Sequence, residues 1–168
     1  MLACAASFAL GSNGVGAKAA KTGKSGRPAV RVATTEDARQ AAMLVTAMGY
    51  PTNASDMCQR LEALTADPSY ATFVAEVDGE VVGLAGVCIA RFYERNGQYA
   101  RLVALVVSES SSGQGVGATL VREAEKWATA QGAVEIFLNS GTQREGSRMF
   151  YTKLGYRESG IRFSKELS

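Results

Sequence analysis

The chain has no histidine among its 168 residues, only three cysteines and three prolines, and a single tryptophan. Without histidine, Ser-His-Asp and Cys-His catalysis are excluded, as are the usual zinc sites and the commonest general base. Cys4, Cys58 and Cys88 are odd in number and widely spaced, which fits neither a disulfide framework nor a metal knuckle. Chemistry must therefore come from carboxylates, tyrosine, the main chain or water, and no metal is expected. A surplus of charge is also missing. The formal net charge of +2 is uneven: Lys18, Lys21, Lys24, Arg27 and Arg31 are five of the 18 basic residues, residues 1–31 hold no acid, and the remainder has 13 basic groups against 16 acidic ones. A folded part with that balance offers no broad positive surface to a nucleic-acid backbone and suits cationic small molecules better.

No membrane-length apolar run is present either. "MLACAASFALGSNGVGAKAAKTGKSGRP" starts apolar, but the run is too short to span a bilayer and has no basic residue ahead of it. Residues 1–29 are expected to form a mobile extension, with a targeting segment, a misassigned start and an expression leader all open; residues 30–168 form one domain, and the expected compartment is the cytoplasm. Two phosphate-loop lookalikes occur in the extension. In "GSNGVGAK" the lysine sits one place late, and ahead of "TGKS" Lys18 stands where the first glycine belongs. Neither follows a strand pattern, which a phosphate-cradling loop requires.

From residue 29 onward the elements can be read in order. "AVRV" is a strand; Thr34 with Asp37 forms a capping pair for a helix whose apolar face is Ala38, Ala41, Ala42, Val45 and Met48, stopped by Gly49 and Pro51. A second helix, capped by Asn53 or Ser55, buries Met57, Leu61 and Leu64 and ends before Pro68. "YATFVAEVDGEVVGLAGVCIA" is two strands joined by Asp78-Gly79, a strong hairpin signal, and "QYARLVALVV" is a third strand of the meander. "GATLVREAEKWATAQG" is a helix closed by Gly132, "AVEIFLN" a strand, "QREGSRMFYTKL" a helix closed by Gly155, and "YRESGIRFSKEL" a last hairpin turning near Ser159-Gly160. The order β, α, α, β, β, β, α, β, α, β, β gives an α+β domain with a mixed, mostly antiparallel sheet of about seven strands.

"VVSESSSGQGVGATL" is the stretch most suggestive of a ligand. Gly113, Gly115 and Ala118 satisfy the dinucleotide fingerprint G-x-G-x-x-G/A, but that fingerprint belongs in the first βαβ unit, on a tight turn, with an acid at the end of the next strand. Here it comes late, after the five-residue approach "SESSS", and the only nearby acid, Glu135, opens the next strand. A nicotinamide or flavin partner does not fit.

"LVALVVSESSSGQGVGATLV" instead resembles motif A of the GNAT superfamily of acyl-CoA N-acyltransferases, Q/R-x-x-G-x-G/A on a strand-to-helix turn, and "SRMFYTKLGY" is similar to that superfamily's later segment. The resemblance covers residues 30 to about 167 and implies an α/β/α sandwich, acetyl-CoA as cosubstrate, and direct transfer of an acetyl group to a primary amine of a small molecule, an aminoglycoside-like polyamine included, or of a peptide. It implies that the amides of Gly113, Gln114, Gly115, Val116, Gly117 and Ala118 cradle the pyrophosphate. Backbone amides and the positive end of a helix dipole bind anions without side-chain help. Ser112 stands where the family has Gln or Arg, so a polar contact is lost there. The main chain of Leu105, Val106 and Val107 is implied to meet the acetyl carbonyl, and Tyr151 to give the departing thiolate its proton; tyrosine hydroxyls, ionising near pH 10, are protonated at neutrality. Tyr151 shares a helical stripe with Arg144 and Ser147, expected to face the ligand, while Gly146, Phe150 and Leu154 pack on the sheet. Arg144 reaches phosphate or solvent, and Tyr151 is alternatively a core tyrosine. For the general base Glu94, Glu76, Asp56 and a water chain stay open, and Cys88, in an apolar strand, is a poor nucleophile. Tyr50, Asp56, Phe92, Tyr93 and Glu94 are the expected acceptor lining. A non-catalytic acyl-CoA sensor is the alternative function, and a homodimer is compatible with either.

Overall fold

The structure, a computed structural model, describes residues 26–140 and 145–167. Its elements are β1 (Ala29–Val32), a 3-10 turn (Thr35–Asp37), α1 (Ala38–Ala47), α2 (Ala54–Ala66), β2 (Tyr70–Val77), β3 (Glu80–Arg91), β4 (Gln98–Val107), a second 3-10 turn (Glu109–Ser111), α3 (Val116–Ala130), β5 (Ala133–Leu138) and α4 (Glu145–Lys153). Of the expected N-terminal extension, residues 1–25 lie outside the described residues.

Local chemistry sets most boundaries. Asp78 and Gly79 both take positive φ, 52° and 78°, the two-residue turn that matches the twist of a hairpin. Asn53 caps α2 by accepting from the Asp56 N–H at 2.9 Å, and the left-handed Gly132 (φ 81°) and Gly155 (φ 91°) close α3 and α4. The buried residues of α1 are Ala38, Ala41, Ala42 and Leu44, with Val45 and Met48 half-buried beside them.

The sheet runs β1-β2-β3-β4-β5. The first four strands are antiparallel neighbours, and β5 joins β4 in parallel after the α3 crossover. Because successive strand residues face opposite ways, β2 and β4 feed two cores at once. Phe73, Ala75, Leu102 and Leu105 pack with Leu120, Val121 and Ala124 of α3, while Val74 and Val106 pack with Ala41 of α1 and Leu61 of α2. Helices therefore cover both faces, and the middle strands read as continuous apolar runs for that reason. Gly83 lets α3 come close: a Cβ there would stand 2.9 Å from Leu120 Cδ1 and 3.1 Å from Val116 Cγ1.

The described sheet has five strands, not seven. The expected hairpin over residues 156–167 does not form; beyond Tyr156 every described residue of the segment is exposed and outside any strand. Its first arm, Arg157-Glu158-Ser159, has no apolar face to bury, and a two-stranded hairpin without a covered face is marginal in water.

One polar cluster joins β1, β2 and the entry to α1. Arg31 donates to both Asp37 oxygens, at 2.7 and 2.8 Å, and to Glu76 Oε1 at 2.6 Å, while Asp37 Oδ2 also accepts from the Thr34 N–H at 2.8 Å. Arg31 holds the Asp37 carboxyl below its usual range, and the Asp37 side chain is 5% exposed. A carboxylate with a depressed folded-state pKa stabilises the fold above its unfolded value and loses that contribution as pH falls through the folded one. Asp37→Asn should therefore cost about 1–2 kcal/mol at pH 7, the range of a hydrogen bond to a charged partner that is partly solvated. Chemical denaturation from pH 7 to 3 should find the gap between wild type and variant closing below about pH 4, the ordinary carboxylate value.

Candidate active site

Pairing between β4 and β5 runs from Gln98↔Ala133 to Leu102↔Leu138 and stops there, while β4 continues to Val107, still paired with β3 as far as Gly83↔Val107. Among the described residues, the β5 side of β4 over residues 103–107 therefore carries no strand. The Leu105 and Val106 side chains are buried on opposite faces, so only main chain can face this opening.

The Gly-rich turn lies where β4 leaves the sheet. Gly113 and Gly115 are left-handed, at φ 77° and 83°, and α3 starts at Val116. The amides of Ser112 and Gln114 are spent on Glu109 and Ser111 carbonyls, and the Thr119 amide makes the first α3 bond, to Gly115. The amides of Val116, Gly117 and Ala118 precede that bond and have no acceptor within the helix. Those amides are what a helix start offers an anion. Ser112 and Gln114 are exposed, and Gln114 is tied by its side-chain amide to the Ser110 carbonyl at 2.9 Å. Gly117 has ordinary helical geometry, and a Cβ there would lie 3.4 Å from Phe150 Cζ and 3.6 Å from Val107 Cγ2. β4, α3 and α4 thus meet at this glycine.

The stripes of α4 differ from expectation. Ser147 and Tyr151, expected to face a ligand, are 0% and 5% exposed, whereas Gly146, expected on the sheet, is exposed, and Phe150 and Leu154 are half-buried. The two stripes adjoin, and α4 settles with the Ser147 side deepest. Tyr151 joins the main core, with edge-on contacts to Phe150 at 5.0 Å and Tyr156 at 5.6 Å. Tyr156 fixes the end of α4: its hydroxyl donates to Glu125 of α3 at 2.8 Å and its N–H to the Tyr151 carbonyl at 3.0 Å. Arg144 lies outside the described residues. Buried without a hydrogen-bond partner among the described residues are the hydroxyls of Ser147 and of Ser140, which follows β5. Buried polar groups are normally satisfied, and two unsatisfied hydroxyls on the segments that border the opening suit a polar ligand there. Ser140 was not singled out from sequence. Its only signal is the two-residue period it shares with Ile136 and Leu138.

The expected acceptor and base residues are scattered. Glu76 is paired with Arg31, and Asp56 takes part in the α2 cap. Tyr93 is fully exposed and Glu94 exposed, at the tip of the β3–β4 hairpin, where Phe92 packs on Tyr99 at 5.0 Å beneath the Arg95 guanidinium. The hairpin leaves the sheet beside the C-terminal end of α2, where the Ile89 N–H donates to the Ser69 carbonyl. Tyr50 and Asp56 are at the other end of that helix, so the five residues do not form one wall. Burial pushes the Cys88 thiol up, which leaves it a weak nucleophile.

The glycines make separable predictions. Gly115→Ala forces an L-residue into left-handed backbone and should cost about 1–2 kcal/mol. Gly117→Ala places its Cβ at ordinary contact distance in a helix and should stay within about 0.5 kcal/mol of wild type. Thermal denaturation of the two variants checks both.

Residues 34–156 match the model of the acetyltransferase (GNAT) family. The chain is 31% identical over 101 residues to the aminoalkylphosphonate N-acetyltransferase of Salmonella typhimurium, covering 60% of this chain and 66% of that one. It is 28% identical over 109 residues to N-acetyltransferase 8 of Rattus norvegicus, covering 65% of this chain and 49% of the relative, so it spans about half the length of that protein. A GNAT family acetyltransferase of Staphylococcus aureus superposes with a TM-score of 0.72 at 28% identity, over 83% of this chain and 98% of the other. On the glycine turn, the split sheet and these likenesses together, the chain belongs to the GNAT acetyltransferase family.

Proposed function

We propose that this chain is an N-acetyltransferase that moves an acetyl group from acetyl-CoA to a primary amine, of a small molecule or a peptide, by direct transfer in a ternary complex. The observation that carries the reading is the parting of β4 from β5 after Leu102↔Leu138, with the open end of β4 leading through a 3-10 turn to the left-handed glycines and the start of α3.

In this reading the amides of Gly113 and of Gly115 to Ala118 hold the pyrophosphate, with the helix dipole adding to the attraction. Ser112 gives little beyond its position, so affinity rests on main chain. The β4 main chain at Leu105, Val106 and Val107 orients and polarises the acetyl carbonyl, a donor role that needs no side chain. The Ser147 hydroxyl, without a partner among the described residues, takes a polar group of the ligand. Acetyl-CoA supplies the activated acyl group; the amine nitrogen forms the new bond to the acetyl carbon as the bond to sulfur breaks. Tyr151 gives its phenolic proton to the departing sulfur and is reprotonated from solvent, while the aromatic packing about its ring keeps water from the bond being broken. With Glu76 and Asp56 committed to structural bonds and Glu94 at the hairpin tip, at the opposite end of β4 from the opening, proton removal from the amine falls to water. The acceptor's identity is left to a panel of amines, polycationic aminoglycosides and aminoalkylphosphonates among them.

Tyr151→Phe should keep CoA affinity and lower kcat on the order of 10²-fold, the usual share of a general acid. Thiol release from acetyl-CoA across the amine panel, alongside calorimetric CoA binding, checks it. Wild-type release at background for every amine, with CoA binding intact, would replace the enzyme by a non-catalytic acyl-CoA sensor.

A further inference from the structure

Tyr156 does more than end α4. Gly155 is left-handed, and the helix closes with the paired bonds common at helix ends: the Gly155 N–H donates to the Thr152 carbonyl at 3.0 Å, and the Tyr156 N–H to the Tyr151 carbonyl at 3.0 Å. Such a turn folds the residue after the glycine back over the last turn of its own helix, and an apolar side chain of any kind serves there. Here that residue is a tyrosine. Its ring meets the Tyr151 ring edge-on with centroids 5.6 Å apart, and Phe150 meets the same ring edge-on at 5.0 Å. Aromatic pairs of this kind prefer a definite mutual tilt.

The Tyr156 hydroxyl is more than the turn needs. It donates to Glu125 Oε1 at 2.8 Å, 31 residues away in the chain, in a part-buried bond strengthened by the charge of its acceptor. Glu125 belongs to α3, the helix whose first amides hold the pyrophosphate in the function proposed above. The Tyr156 side chain thus runs as a strut beside Tyr151, its backbone bonded to α4 and its hydroxyl to α3. We propose that Tyr156, held by Glu125, is a positioning residue that fixes the tilt of the Tyr151 ring relative to α3, so that the phenolic proton of Tyr151 meets the departing sulfur. The role rests on Tyr151 being the general acid. A proton donor must lie within hydrogen-bond reach of the atom it serves, and a misplacement of about 1 Å can cost on the order of 10²-fold in rate.

Steady-state acetylation by the full chain, with acetyl-CoA varied against the amine that the panel identifies, tests this. Tyr156→Phe keeps the ring and the turn and removes the bond to Glu125; it should lower kcat on the order of tenfold, with the KM for acetyl-CoA and the calorimetric affinity for CoA unchanged. Glu125→Ala should match it, and Glu125→Gln, which still offers the phenol a carbonyl oxygen, should recover most of the rate. In a Tyr151→Phe background, Tyr156→Phe should cost nothing further, because the group it positions is gone. A wild-type kcat in Tyr156→Phe overturns the proposal and leaves the acid reading standing. So does an equal loss in both backgrounds, which would make the hydroxyl a support of the fold at large, and so does a loss confined to KM or to CoA affinity. A Tyr151→Phe enzyme at the wild-type rate, or a wild type that acetylates no amine, removes the acid reading and this role with it.

Discussion

The structure turns on where β4 stops being shared. For its first half β4 is an interior strand, paired on both sides; after Leu102↔Leu138 it keeps β3 and loses β5. Main-chain donors inside a protein are almost always paired, so a stretch of interior strand with one side open is a place where something else must bond. The strand cannot drift to close the gap, because Leu105 and Val106 anchor it in the two opposite cores. Rigidity of the scaffold and openness of the backbone come from the same residues.

The turn and the helices follow from that split. Leaving the sheet, the chain needs two left-handed residues to aim α3 back across β3, and glycine takes that conformation without steric cost. Gly83 then allows α3 to sit so close to β3 that its first turn lies over the end of β4. Phe150 of α4 rests beside Gly117 and Val107, and Tyr151, one residue on, packs in the same core. The consequence is a site in which the anion-binding amides, the open strand and the candidate acid are held by packing rather than by loops, which suits positioning to fractions of an ångström.

What was legible in the sequence was local. Asp78-Gly79, Asn53, Gly132 and Gly155 determine their turns and caps through neighbours a few residues away, and each does in the structure what its chemistry dictates. The glycine turn was legible for the same reason, although only two of its three glycines need positive φ; the third has ordinary helical backbone and room for a Cβ. Long-range outcomes were not legible. Two adjoining stripes of α4 are both compatible with burial, and only docking against α3 and β4 decides that Ser147 and Tyr151 go deepest. The hairpin expected at residues 156–167 fails because its first arm, Arg157-Glu158-Ser159, has no apolar face to bury. The buried Ser140 hydroxyl depends on the path after β5, and the two-residue period it shares with Ile136 and Leu138 marks its face without marking it as a polar site.

The central claim is that main-chain amides at the split sheet and the α3 start bind the acyl donor. Amide chemical shifts during titration with CoA report on it directly. The account predicts that the largest changes fall on Gly113, on Gly115 to Ala118 and on residues 105–107, with Tyr50 and the hairpin tip at Tyr93 left nearly unmoved. Saturable changes centred anywhere else, with those amides silent, would contradict it.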